Sequence, residues 1–77
     1  ADYVIVGAFR SKENAERYDQ QMVDMGFPEV HFGFLSARNL WYVYVASSDN
    51  LEEAKAARDK YRKMKMFKDA WLLTVHP

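Results

Sequence analysis

The sequence contains no cysteine, only two prolines and three glycines, and no apolar run as long as a membrane span requires. Without thiols, neither a disulfide framework nor a thiolate metal site can support the fold. A transmembrane helix needs about 20 predominantly apolar residues, so we expect no direct membrane insertion by this segment. These absences leave a hydrophobic core as the main source of stability.

The length and the apolar content indicate what kind of core is available. A chain of 77 residues is near the lower limit at which one hydrophobic core can stabilise a fold without disulfides or a bound metal. Hydrophobic residues make up 49% of the sequence and aromatic residues 16%. We therefore predict one densely packed domain over residues 1–77.

The charges are balanced, with 11 basic and 11 acidic residues and a net charge of zero. Nucleic-acid binding is driven largely by phosphate neutralisation and needs a basic surface, so we expect no nucleic-acid partner. Residues 55–68 hold seven Lys or Arg against Asp59 alone. We interpret them as a solvated helix face whose basic residues suit the C-terminal end of the helix dipole. A monomer is the expected state.

The first half of the chain predicts a strand, a helix and a second strand. Residues 3–9 alternate and are rich in β-branched and aromatic side chains. Ser11 is a suitable N-cap, and Gly26 followed by Pro28 ends the helix. Residues 29–35 alternate again and predict the second strand.

The second half repeats this plan. A strand is predicted at residues 40–46, a helix begins at Asp49 with Glu52 completing a capping box, and residues 70–75 form the last strand. A shift of 39 residues superposes six identical residues of the two halves.

The repeat predicts an α+β fold of two βαβ half-repeats, about 3–35 and 42–75. Interleaving them gives a ferredoxin-like or RNP-like βαββαβ arrangement, with a four-stranded antiparallel sheet and two helices on one face. Strands 1 and 3 should be central.

Strand alternation predicts which side chains face away from the helices. Val4, Val6, Phe9, Val43 and Val45 suit the helix side. The residues predicted on the other face are Tyr3, Ile5, Gly7, Leu40, Tyr42, Tyr44 and Ala46. A contiguous apolar patch usually marks a binding site. Two alternatives stay open: support of the sheet through cross-strand pairs, or burial by a partner protein.

The sequence pattern leaves the side-chain directions in the last strand open and says little about the two histidines. In residues 70–75 either alternate set fits the core, so Trp71 could face either side. Trp41 starts the third strand in the inward register and is interpreted as core. His31 alternates outward and is interpreted as exposed. Only two histidines are present, and His76 is the penultimate residue, so we expect no metal site.

The acidic residues do not predict an enzyme. Glycoside hydrolysis needs two carboxylates facing each other across the bond, whereas the acids here fall mostly on predicted helices or turns. The sequence contains no nucleophile elbow and no phosphate-binding glycine loop. We therefore expect a non-catalytic domain without a cofactor.

Several segments, in this order, resemble the SPOR domain family over essentially the whole chain. They are Tyr3–Phe9, Glu13–Glu16, Gly26–Phe27, Leu40–Val45, Leu51–Lys55 and Phe67–Trp71. The sequence of the second half is also similar to that of SPOR domains from Bacteroidetes. The resemblance implies an RNP-like fold that binds peptidoglycan glycan strands, denuded of stem peptides, on the open sheet face. It also implies a place in the bacterial cell envelope (the periplasm), where the module targets or tethers a parent protein at the cell wall or division site.

The resemblance also suggests which residues bind the glycan. The family's polar strand-1 positions, a Gln and a Ser, fall on Ile5 and Ala8, so this chain replaces some hydrogen bonds with apolar contacts. The expected glycan-binding residues are Ile5, Leu40, Tyr42, Tyr44 and Trp71. A protein–protein docking domain that uses the same tyrosine-rich face is the alternative. Tyr42→Ala and Tyr44→Ala are expected to leave the fold largely intact.

Overall fold

Four strands, two helices and one short 3₁₀ helix follow one another in the computed structural model, which describes residues 1–76. The last residue of the predicted domain, Pro77, lies outside the described residues. The elements are β1 (Asp2–Phe9), α1 (Lys12–Asp24), β2 (His31–Leu35), β3 (Leu40–Ser48), α2 (Leu51–Arg62), the 3₁₀ helix (Lys65–Phe67) and β4 (Trp71–Thr74). The order of strands and helices is βαββαβ, as predicted.

The strands form one antiparallel sheet in the order β2-β3-β1-β4. β1 and β3 are the central strands, which confirms the prediction. Both helices pack on the same side of this sheet, because buried residues of α1 and α2 share one core cluster with the inward residues of the central strands. We call this cluster the helix-side core. Its buried members are Val4, Ala15, Met22, Val30, Val43, Val45, Tyr61, Phe67 and Ala70.

Both ends of α1 follow the sequence signals. The Ser11 side chain accepts a hydrogen bond from the backbone N–H of Asn14 at 3.2 Å, which satisfies one of the free donors of the first turn. After the helix, Gly26 has φ +100°. Glycine adopts this left-handed conformation without steric cost, so the chain can turn sharply toward β2.

The prediction for the start of α2 was wrong by one residue. Asn50, not Asp49, is the N-cap, and its side-chain oxygen accepts from the backbone N–H groups of Glu52 and Glu53 at 2.9 and 3.2 Å. Asp49 instead lies 3.6 Å from the N-terminal ammonium of Ala1. Asn and Asp are nearly equivalent caps, so the sequence pattern alone does not distinguish adjacent candidates.

Several strand boundaries also differ from the prediction by one or two residues, including the start of β1 and both ends of β4. β2 begins at His31, because Glu29 lies in the preceding turn and accepts a hydrogen bond from the Tyr61 hydroxyl at 2.6 Å. β3 extends to Ser48 because that residue pairs with Asp2 of β1. The 3₁₀ helix before β4 was not predicted, and it inserts Phe67 into the helix-side core.

The pairing of β1 with β3 contains two register shifts that surround Ile5. An extra residue on one strand of an antiparallel pair is a β-bulge, which bends the strand and disturbs the alternation of side chains. Here each strand has one residue without a direct partner. Val4 pairs with Ala46, Ile5 with Tyr44 and Gly7 with Val43, which leaves Val6 and Val45 between pairs.

The bulge overturns two predicted orientations. Directly paired residues project to the same side of a sheet, so Gly7 follows Val43 to the helix side. A Cβ atom on Gly7 would lie 3.0 Å from the Phe9 ring. Ala46 likewise packs against the helix-side core. Strict alternation had placed both residues on the opposite face.

Candidate functional site

The sheet face that lies opposite the helices carries its own apolar cluster, which we call the open-face cluster. Its fully buried members are Ile5, Tyr42 and Leu73, and the half-buried residues Tyr3, Leu35, Leu40, Tyr44 and Val75 pack against them. All four strands contribute to this cluster or to its margin. The face is therefore assembled only when the whole sheet is in register.

Residues of the open-face cluster point away from the helices without being freely exposed. Ile5 is 1% exposed and Tyr42 is 5% exposed, because larger neighbouring side chains cover them. Removing a buried aromatic side chain leaves a cavity and costs stability. The expectation that Tyr42→Ala leaves the fold largely intact therefore does not agree with the structure.

Trp71, whose orientation the sequence left open, lies on the open face. It pairs directly with Ile5, and its ring centroid is 5.9 Å from that of Tyr42 at an interplanar angle of 76°. Trp71 is 36% exposed, so about a third of its surface is accessible and its ring also contacts Tyr42 edge to face. Leu72 packs against the helix-side core instead.

Tyr44 is held between two other aromatic side chains. Tyr3 contacts it edge to face with ring centroids 5.0 Å apart, and the His31 ring lies 5.8 Å away on the neighbouring strand. Burial and the adjacent Tyr3 raise the pKa of the Tyr44 phenol above its ordinary value of 10.0. Its hydroxyl therefore stays protonated at neutral pH and can both donate and accept hydrogen bonds.

A shallow cleft of about 170 Å³ runs across this face. No charged side chain lines it; the lining residues are Tyr3, Ile5, Gly33, Phe34, Leu35, Tyr42, Tyr44, Leu73 and Val75. Aromatic and aliphatic side chains with a few hydroxyl groups suit a flat ligand that has both apolar and hydrogen-bonding edges.

Arg38 is a residue of this face that the sequence analysis missed. It lies in the turn between β2 and β3, and its guanidinium Nη1 donates to the Tyr42 hydroxyl at 3.4 Å. The signal that could have found it is its place in a tight hairpin, which brings a turn residue over the first residues of the following strand.

The expected glycan-binding residues are distributed unevenly over the face. Ile5, Tyr42, Tyr44 and Trp71 are brought together, as the pairings and ring contacts above show. Leu40 pairs with Leu35 at the margin of the open-face cluster, and neither Leu40 nor Trp71 lines the cleft itself.

The other residues singled out by the sequence lie elsewhere. Trp41 packs against the helix-side core, as interpreted, and the ammonium of Lys12 lies 5.9 Å from its ring centroid. The basic residues of 55–68 follow α2 and the 3₁₀ helix on the helix side and add no charge to the cleft. Within residues 1–76 no group of three or more metal-binding side chains occurs, and no helix is long and apolar enough to cross a membrane.

Comparison with known proteins agrees with this architecture. The family model described as SPOR domain matches residues 3–74, which is nearly the whole chain. No curated protein and no solved structure gives a match. The matched region includes every strand and helix except the first residue of β1, Asp2, and with them both sides of the sheet.

Proposed function

The chain belongs to the SPOR domain family, and from this we propose that it binds the glycan strands of peptidoglycan through the open face of its sheet. SPOR domains are a binding-domain family known for peptidoglycan binding, and they are associated with the cell envelope and with cell division. On this proposal the domain targets or tethers a parent protein at the cell wall or division site, in the periplasm.

The aromatic cleft is the observation that carries the proposal. A sugar ring presents C–H groups on one face and hydroxyl groups at its edge, so it can stack on an aromatic ring while it hydrogen-bonds to neighbours. Trp71 lies on the same face beside the cleft and offers a partly exposed indole in edge-to-face contact with Tyr42. Tyr44 lines the cleft and offers a protonated hydroxyl there.

The lining of the cleft also supports a preference for glycan that has lost its stem peptides. A stem peptide carries charged groups and amides, which lose hydration when they are placed on an apolar surface without partners. The residues that line the cleft include no charged side chain. A bare glycan strand presents less polar surface that would remain unsatisfied there.

We further propose that the module is non-catalytic. Glycoside hydrolysis uses two carboxyl groups placed on opposite sides of the scissile bond. None of the residues that line the cleft carries a carboxylate, so a bound strand would meet no acid or base there. Binding alone is the function that this geometry supports.

A sedimentation assay with purified peptidoglycan sacculi tests the proposal. The fraction of the protein bound is measured before and after an amidase removes the stem peptides, and binding is expected to rise on stripping. Tyr44→Ala should weaken binding about tenfold through the loss of stacking area and a hydroxyl. Tyr18→Ala is the matched control, because Tyr18 is an equally half-buried tyrosine on α1, on the helix side.

The outcomes separate the two candidate functions. Equal loss of binding in both tyrosine variants would mean that the effect arises from destabilisation, not from the open face. Failure of the folded wild-type protein to bind either preparation would reject the glycan proposal. The tyrosine-rich face would then be tested as a protein docking surface, by cross-linking in the parent organism's envelope.

A further inference from the structure

Arg38 is held over the open face by the geometry of the hairpin that joins β2 and β3. Its backbone N–H donates to the carbonyl of Leu35 at 3.1 Å, and the next residue, Asn39, has φ +54°. Asn is among the few residues that adopt this left-handed conformation readily. The turn thus directs the Arg38 side chain back along β3 to the Tyr42 hydroxyl.

The charge of this guanidinium is not neutralised by the protein. Within residues 1–76 the ion pairs join Ala1 with Asp49, Glu52 with Lys55, and Arg58 with Asp59, and none involves Arg38. A guanidinium has five N–H donors, and the Tyr42 hydroxyl accepts only one hydrogen bond from it. The remaining donors are available beside a cleft that has no other charge.

An apolar cleft with one free guanidinium at its margin suits a ligand that combines a sugar ring with a single carboxylate. Arginine binds carboxylates with two parallel hydrogen bonds, which are stronger than neutral ones. In peptidoglycan the lactyl group of muramic acid ends in a carbonyl that is amide-bonded to the stem peptide. When the peptide is removed, that carbonyl becomes a free carboxylate, with a pKa of about 4 and a negative charge at neutral pH.

We propose that Arg38 binds the free lactyl carboxylate of muramic acid and so makes the domain specific for peptide-free glycan. The inference rests on the proposed function and adds a residue and a chemical group to it. Discrimination then has two sources: the apolar floor disfavours the peptide, and Arg38 favours the charge that appears when the peptide is gone.

The test compares two forms of the same soluble glycan strands. Amidase-stripped strands carry free lactyl carboxylates, and carbodiimide coupling to methylamine converts these into neutral amides without restoring a peptide. Affinities of the folded protein for both forms are measured by calorimetry. We expect the wild type to bind the carboxylate form about tenfold more tightly, as a charge-assisted hydrogen bond predicts.

Three variants locate the source of that preference. Arg38→Gln should bind both forms equally, at the affinity of the wild type for the amide form. Arg38→Lys should keep part of the preference, because an ammonium retains the charge but loses the bidentate geometry. Arg17→Gln changes the net charge identically on exposed α1 and should behave like the wild type.

Each outcome bears on one of the two proposals. An Arg38→Gln protein that keeps the full preference overturns the role of Arg38, whereas an Arg38→Lys protein that has none shows that the bidentate geometry is required. A wild type that binds both forms equally well also overturns the role of Arg38, and it leaves glycan binding itself in place. A wild type that binds neither form overturns the proposed function, and the role of Arg38 with it.

Discussion

The two sides of the sheet bury similar kinds of residue in different ways. On one side, α1 and α2 cover the helix-side core, and Val4, Val43 and Phe67 are each no more than 2% exposed. On the other side no helix covers the sheet, yet Ile5 and Tyr42 are buried almost as completely. There the side chains of neighbouring strands cover one another.

This difference shows that the direction of a side chain and its burial are separate properties. The alternation of residues along a strand predicts only the direction of each side chain. Its burial depends on the size of the side chains on the adjacent strands. On the open face, the bulky Trp71 and Tyr44 flank smaller residues, so one surface contains both a buried floor and an accessible rim. A floor residue affects stability and binding together, whereas a rim residue affects mainly binding.

The largest effect is expected on the covered side, where Phe67→Ala should lower the free energy of unfolding by about 3–5 kcal/mol. Phe67 is 2% exposed and contacts the rings of Phe27 and Tyr61 edge to face, so its removal opens a cavity between the helices and the sheet. Urea denaturation measures the change. Leu51→Ala, at an exposed position of α2, is the control and should stay within about 0.5 kcal/mol.

Tyr42→Ala tests whether the open-face floor behaves as a core. We expect a loss of about 2 kcal/mol, smaller than for Phe67, because no second layer lies above it and the neighbours can relax. Tyr42→Phe keeps the ring and removes only the hydroxyl that accepts from Arg38, so it should cost under about 1 kcal/mol. If Tyr42→Ala and the wild type unfold at the same urea concentration, the burial of Tyr42 on the open face does not stabilise the fold.

Most of the architecture could be predicted because its signals are local. Ser11 and Gly26 mark the ends of α1, and the apolar stripes and alternations mark both α-helices and all four strands, though not the 3₁₀ helix. The error at Asp49 is of the same local kind, since two good N-caps are adjacent and the sequence pattern does not distinguish them.

The candidate site was harder to predict because it depends on pairing between distant segments. The bulge beside Ile5 exists only when β1 meets β3, and it moves Gly7 and Ala46 to the helix side. Trp71 could be placed only through its pairing with Ile5, which is 66 positions away along the chain (71 − 5). Arg38 reaches the Tyr42 hydroxyl because of the shape of a turn. The number and spacing of charged residues in the sequence do not reveal that contact.

Trp71→Ala separates binding from stability at the rim. Because the indole is 36% exposed, its removal should lower the free energy of unfolding by less than that of Tyr42, under about 2 kcal/mol. It should nevertheless weaken glycan binding about tenfold through lost stacking. Met66→Ala is the matched control, since Met66 is 38% exposed but lies in the 3₁₀ helix. Equal binding by the two variants would show that the indole does not contact the glycan.

The smallest effect is expected from the hydrogen bond between Tyr61 and Glu29 on the covered side. Burial, followed by the bond to Glu29, raises the pKa of Tyr61 from 10.0 to about 12. A raised folded-state pKa gives stability that is complete below pH 10.0 and is lost as the pH rises through about 12. The bond from Tyr61 lowers the pKa of Glu29 below its ordinary 4.5, so that contribution is present above pH 4.5 and is lost as the pH falls through the lowered value.

Tyr61→Phe should therefore reduce the pH dependence of the free energy of unfolding at both acidic and alkaline pH, while the ring stays packed against Phe67. The measurement is the free energy of unfolding of the variant and of the wild type by urea denaturation across the pH range, and the quantity compared is the difference between the two proteins. The difference should be largest near neutral pH, at under about 1 kcal/mol, and should shrink toward both extremes. Tyr18→Phe is the control, since burial alone raises the pKa of Tyr18. Loss of the Tyr18 hydroxyl should leave the free energy of unfolding at acidic pH unchanged. A Tyr61→Phe profile parallel to that of the wild type would mean that this bond contributes no pH dependence.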